Sequence, residues 1–231
     1  MRSHWFWILC ACTLQFAACQ LAPRNVEITQ SQSLDSLEIQ GLVDVSDIPN
    51  GWQDLLLLDS TIQLDIRYAG TNNFVAEKLY PCARCLLRSE VAQSVVKAQR
   101  LLQNNDLGLK IFDCYRPLSV QQRLWNKVPD ARYVTPPERG SMHNRGTAID
   151  VTLVYSNGDE LDMGTAFDYF GQEAHHSYKA LSAQVLDNRR HLLEVMQLTG
   201  FKEIRTEWWH YSYKEKEFDV QDFVWPCQNL D

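Results

Sequence analysis

Three short polar clusters in this chain combine residue types that can do chemistry. The first runs Ser141-Met142-His143-Asn144-Arg145-Gly146-Thr147-Ala148-Ile149-Asp150. His143 falls in a polar turn, and Asp150 follows seven residues later inside an apolar, β-branched run. A carboxylate at a buried strand position is costly unless it is paired or binds a cation. Gly146 between the two lets the chain fold back, so both side chains can reach one ion. The second cluster is Glu207-Trp208-Trp209-His210. His210 would complete a His–Asp–His set of three protein ligands, leaving a fourth position open as catalytic zinc requires. Glu207 would then be the base that takes a proton from water. In a helix, positions i and i+3 share a face; on a strand, the odd offset points Glu207 and His210 to opposite faces unless the strand bends, and in either case a Glu and a His lie close together among aromatics. The third is Asp113-Cys114-Tyr115-Arg116-Pro117, where Arg116 can hold a carbonyl oxygen and stabilise a tetrahedral oxyanion. Each cluster also has a purely structural reading: a buried His–Asp hydrogen bond, aromatic core packing around a satisfied imidazole, and an arginine paired with Asp113 or a helix end.

Those residues need a scaffold, and hydropathy periodicity supplies an outline of one. Leu55 to Tyr68 alternates enough to predict a strand, followed by turn residues 69–73. Val91, Val95, Ala98 and Leu102 predict one apolar helix face over residues 89–102, with Ser89 as N-cap. Residues 107–112 read as a short strand, and Ser119-Val120-Gln121-Gln122 as a capping box opening a helix. Thr147 to Tyr155 predicts a central strand. Leu181, Val185, Leu192 and Met196 predict a long helix closed by Gly200, and residues 202–213 one or two aromatic-rich strands. Strands and helices mix without regular βαβ alternation. The expectation is therefore an α+β fold: one compact domain with a mainly antiparallel sheet flanked by helices.

The chain has 231 residues, 45% apolar and 22% charged, with net charge −7. That charge gives no reason to bind nucleic acid, leaving small molecules, peptides or proteins as partners. Arg2 precedes an apolar run from Trp5 to Ala18, shorter than the ~20 residues a bilayer-spanning helix needs but suited to a signal peptide. The run ends Phe16-Ala17-Ala18-Cys19, similar to a bacterial lipobox, with Phe16 where Leu is usual. Residues 1–18 are thus expected to be a lipoprotein-type signal, Cys19 the lipidation candidate, 19–50 a polar tether and 51–231 the functional domain. A plain secretory signal with an incidental Cys is the alternative. Both imply export to the periplasm, and in the lipoprotein reading membrane contact is made through the lipid anchor only. Cys82, Cys85, Cys114 and Cys227 remain in the domain, an even number in an oxidising compartment, with three complete pairings open.

Taken in order, Asp-x-Tyr-Arg-Pro, Ser-x-His-x-x-Gly-x-Ala-x-Asp and Glu-Trp-Trp-His resemble the D-alanyl-D-alanine dipeptidases, the VanX-type branch of the zinc D-Ala-D-Ala metallopeptidases. Asp65-Ile66-Arg67-Tyr68-Ala69, Asn72-Asn73-Phe74 and Cys85-Leu86-Leu87-Arg88 are similar to further family blocks. The segment 161–168 and His175-His176 resemble the dipeptidase branch in particular. The likeness spans about residues 52–225. It implies one zinc ion per chain held by His143, Asp150 and His210, Glu207 as catalytic base and Arg116 at the oxyanion. It further implies Ser141 near the substrate carboxylate and Asp168 on the substrate ammonium. The implied activity is hydrolysis of D-Ala-D-Ala to free amino acids, linked to cell-wall peptide metabolism. A D,D-carboxypeptidase acting on peptidoglycan stems and a non-catalytic cell-wall-binding lipoprotein are the alternatives. Cys114 departs from the family, which commonly has Gly there; the departure raises the prospect of a shifted Arg116 or a redox-sensitive site. His175 and His176 are expected to be structural rather than ligands.

Overall fold

A computed structural model describes residues 48–213 and 218–227. The expected signal and Cys19 lie outside the described residues, as does the tether apart from its last three positions. The central sheet has five strands: β2 (Gln63–Leu64), β4 (Leu107–Asp113), β5 (Ala148–Tyr155), β7 (Glu207–Tyr213) and β6 (Phe201–Ile204), in that spatial order. Only the β2–β4 pair is parallel. A separate antiparallel ribbon joins β1 (Trp52–Asp54) to β3 (Leu86–Arg88). Among the described residues four α-helices accompany the sheet: α1 (Leu55–Leu58), α2 (Ser89–Gln103), α3 (Leu118–Lys127) and α4 (Ala183–Leu198). α2 packs on β4 and on α4, and α4 packs on β5 and β6.

β5 is buried from Ala148 to Val154, as expected for a strand covered on both sides. Alternation sends Ile149, Val151 and Leu153 to one face and Asp150 and Thr152 to the other. The predicted stripe Val91, Val95, Ala98 and Leu102 is wholly buried on α2. Three local expectations need correction. Residues 55–68 are not one strand: Asp54 accepts from the Leu56 N–H and caps the short helix α1, leaving only Gln63–Leu64 extended. Ser89 is not the N-cap, because β3 runs directly into α2 and Arg88 takes the cap position without a side-chain bond. α3 has no capping box: Pro117 precedes it, and the Ser119 N–H donates instead to Asp222 Oδ1 at 2.7 Å.

That last bond belongs to a C-terminal strap, residues 218–227, lying across the loops that follow β4 and precede β5. The Leu118 N–H donates to Gln221 O, the Gln221 N–H to Asn144 O, and the Tyr115 hydroxyl to Phe223 O. Trp225 packs against Tyr80, whose hydroxyl donates to Asp113 Oδ1 at 2.7 Å. Two disulfides resolve the open pairing: Cys82–Cys227 ties the strap to the domain, and Cys85–Cys114 ties the end of β4 to the segment before β3.

Candidate active site

Sheet register builds most of the site. Asp150 stands opposite His210 in the β5–β7 pair and opposite Asp113 in the β4–β5 pair, forming a row across three strands. Directly opposed residues of an antiparallel pair share a face. His143 joins this row from a 3-10 turn, His143–Arg145, immediately before β5. Gly146 closes that turn at φ +69°, and a Cβ there would sit 2.2 Å from the Trp52 ring. Only glycine meets both demands.

Three electron-pair donors converge as a result. His143 Nε2 lies 3.1 Å from His210 Nδ1 and 3.3 Å from Asp150 Oδ1, and His210 Nδ1 lies 3.0 Å from Asp150 Oδ1. The outer ring nitrogens have partners elsewhere. His143 Nδ1 donates to the Cys114 carbonyl at 2.6 Å, which leaves Nε2 as a bare lone pair. Ser212 Oγ, 2.9 Å from His210 Nε2, can accept its proton and so free Nδ1. A tetrahedral ion with ligands at about 2.0–2.1 Å spaces them roughly 3.3–3.4 Å apart, close to the separations seen. Among the described residues this is the one group of three or more His, Cys, Asp or Glu able to share an ion. Burial by itself would raise the Asp150 carboxyl; the two imidazoles override it and hold the group below the usual carboxylate range.

Glu207 reaches the same cavity because β7 is irregular. Glu203 pairs with Tyr211 while Ile204 pairs with Glu207, so residues 208–210 bulge and the odd offset no longer separates Glu207 from His210. Burial pushes the Glu207 carboxyl up to about 7, with His210 pulling against it. Arg116 is fixed on three sides: Nε and Nη2 donate to Asp113 Oδ2 at 3.0 and 2.5 Å, and Nη1 donates to Gln121 Oε1 at 3.0 Å. Gln121 in turn donates to Thr135 O at 2.7 Å. Three of the five guanidinium N–H groups are thereby engaged, and two remain for a ligand oxygen. Ser141 donates to Asn144 Oδ1 through both N–H and hydroxyl, and Asn144 Nδ2 donates to Arg116 O. Asp168 occupies the left-handed region at φ +59° and accepts from the Tyr68 hydroxyl at 3.0 Å. Burial, and then the Asp150 carboxylate, push Asp168 up to about 8.

All seven residues named from sequence (His143, Asp150, His210, Glu207, Arg116, Ser141 and Asp168) line one cavity of about 190 Å³. A model of the D-ala-D-ala dipeptidase family matches residues 50–227. The chain belongs to that family. The D-alanyl-D-alanine dipeptidase of Escherichia coli is 36% identical over 159 residues, covering 69% of this chain and 82% of that protein. The D-alanyl-D-alanine dipeptidase of Enterococcus faecium is 29% identical, covering 72% of this chain and 93% of that one. One from Streptomyces coelicolor is 28% identical, covering 73% and 94%.

Family membership is legible from the ordered motifs, but several residues of the site are not. Tyr68, on the cavity wall, has no role assigned by the Asp65–Ala69 block. Asp113 and Gln121 stand behind the wall and grip Arg116, where the sequence offers only a partner for Arg116 and part of a helix opening. Phe74, Tyr133 and Phe170 form an aromatic wall, with Phe170 against Phe74 at 5.1 Å and stacked on Tyr133 at 4.7 Å. Their sequence spacing carries no sign of this. His175 and His176 do not line the cavity, and the His176 N–H donates to Arg205 O.

Proposed function

We propose that this protein is a zinc-dependent dipeptidase that hydrolyses D-Ala-D-Ala and related D,D-dipeptides to free amino acids. The observation that carries the reading is the convergence of His143, Asp150 and His210 beside a desolvated Glu207, with a second desolvated carboxyl, Asp168, in the same small cavity. His143, Asp150 and His210 would hold the zinc ion, which would supply Lewis acidity toward the scissile carbonyl and lower the pKa of water to near neutral. Glu207 takes the proton of the attacking water and passes it to the leaving amine nitrogen. Its carboxyl, raised to about 7, is well placed for both transfers. Arg116 offers its two remaining N–H groups to the developing oxyanion. Ser141 stands toward the substrate carboxylate.

Asp168, with Tyr68, receives the substrate ammonium. Burial holds the Tyr68 hydroxyl well above its ordinary range, so it stays a donor to the carboxylate. A cation at that spot relieves the desolvated Asp168 charge, whereas an acylated nitrogen leaves it unmatched. This favours free dipeptides over stem peptides. Zinc-loaded protein should cleave D-Ala-D-Ala and spare its N-acetyl derivative, and faster cleavage of the acetylated peptide would assign a carboxypeptidase instead.

We also propose export and lipid attachment at Cys19. Two disulfides suit an oxidising compartment. No helix among the described residues is long and apolar enough to cross a membrane. Incorporation of labelled fatty acid into the wild type but not into Cys19→Ser is the expected result; equal labelling refutes the site.

A further inference from the structure

We propose that Cys114, through its disulfide to Cys85, is a positioning residue for His143 and Arg116, so that metal affinity and turnover follow the oxidation state of this one cystine. The inference rests on the zinc dipeptidase reading above and adds a determinant to it. β4 shifts register between Ile111 and Asp113 and then leaves the sheet, so residues 114–117 lack a strand partner. What fixes this segment is a set of hydrogen bonds to Asp113, Leu86 and His143. The Cys114 N–H donates to Asp113 Oδ1 at 3.0 Å, and its carbonyl accepts from His143 Nδ1 at 2.6 Å. The flanking N–H groups donate onward, Tyr115 to Leu86 O and Arg116 to His143 O, both at 3.1 Å.

Both backbone groups of Cys114 therefore serve the site. One steadies the carboxylate that grips Arg116, and the other sets the tautomer and ring plane of His143. The side chain leads away from the site to Cys85, which is completely buried and whose carbonyl accepts from the Leu55 N–H. The cystine thus adds a covalent anchor to a turn held otherwise by these hydrogen bonds alone. Outer partners of metal-binding histidines typically govern metal affinity by about 10–100-fold. Two equivalents of a thiol such as glutathione convert the cystine to two cysteine thiols and release one molecule of glutathione disulfide. Re-oxidation runs the exchange backward, the cysteines giving up two electrons and two protons. Once cut, the 114 carbonyl is held only by the hydrogen bonds of its neighbours, and the acceptor of His143 is less firmly fixed. Cys82–Cys227 is a control within the same chain, since neither of its cysteines bonds a cavity residue.

The test compares wild type, C85A/C114A and C82A/C227A as full chains. Zinc affinity is read by competition with a chromogenic chelator, which needs no substrate, and D-Ala-D-Ala turnover is read separately. C85A/C114A should bind zinc about 10–100-fold more weakly, while C82A/C227A stays within about threefold of wild type. If that zinc contrast appears and no chain cleaves the dipeptide, the positioning role stands and the substrate assignment fails. Wild-type zinc affinity in C85A/C114A overturns the proposal. Should C85A/C114A not fold, the C82A/C227A chain, which keeps only the cystine in question, is poised in glutathione buffers with alkylation mapping. Turnover should then fall in step with reduction of Cys85–Cys114 and return on re-oxidation. Undiminished turnover in the fully reduced, still folded chain also overturns it.

Discussion

Replacing Asp168 with Asn should make the protein more stable and a far poorer enzyme. The Asp168 carboxyl rises from an ordinary 3.8 to about 8, chiefly through burial and then through the Asp150 charge. A raised folded-state pKa means that the fold favours the protonated acid. The penalty is absent below about pH 4, grows as pH climbs, and levels off above about pH 8. Each unit is worth about 1.4 kcal/mol, so ionisation at pH 7 withholds at most roughly 4 kcal/mol. The side chain keeps some solvent contact at the cavity wall, so a gain of about 1–3 kcal/mol is expected on removing the charge. Asn is nearly isosteric and tolerates the left-handed backbone found here at φ +59°. In metal-free protein, thermal unfolding of wild type and Asp168→Asn should diverge in favour of the variant between pH 5 and pH 8, by about 2–4 °C of melting temperature per kcal/mol. Zinc loading should narrow the gap, because a nearby cation stabilises the wild-type carboxylate. The same variant should lose about 10²–10³-fold in kcat/KM for D-Ala-D-Ala, the usual cost of unpairing a buried charge. A stability difference that does not change with pH, or wild-type kcat/KM, would refute the burial argument.

Glu207→Gln should leave zinc affinity near wild type and lower kcat by about 10²–10⁴-fold, measured by amino-acid release against chelator competition. In the wild type, kcat/KM should fall as pH drops through about 8 to 7, because Asp168 and Glu207 must both be ionised, and the variant's residual activity should lose the Glu207 part of this limb and keep the Asp168 part. Gln121→Ala removes a buried acceptor from Arg116 and should cost about 1–3 kcal/mol in denaturant unfolding together with reduced kcat. Gly146→Ala meets both a left-handed backbone and the Trp52 ring, and should destabilise by about 2 kcal/mol or more by thermal melt, with weakened zinc binding.

The parts of the fold that were legible are those where one signal dominates. The stripe from Val91 to Leu102 and the β-branched run from Ala148 to Tyr155 each bury what their periodicity says they should. Four consecutive leucines were misread because an acceptor one residue earlier, Asp54, caps a helical turn, and alternation cannot register a cap. The proximity of Glu207 to His210 depends on a bulge whose cause lies in the pairing with β6, a partner invisible to local pattern. Disulfide pairing was undetermined for the same reason: four cysteines specify three solutions, and only the folded loops select Cys82–Cys227 and Cys85–Cys114. Side chains such as Gln121 and Tyr68 gain their meaning from partners 14 and 100 residues away.

The strap formed by residues 218–227 has a consequence for how the molecule folds. Its Gln221 and Phe223 brace the turns carrying Asn144 and Tyr115, and Cys227 closes onto Cys82 across 145 residues. Helices and hairpins can collapse early, because their contacts are local. The turns beside His143 and Arg116 gain these braces only when residues 218–227 fold back over them. Ordering of the pocket is therefore expected among the later steps of folding, after the local elements have formed.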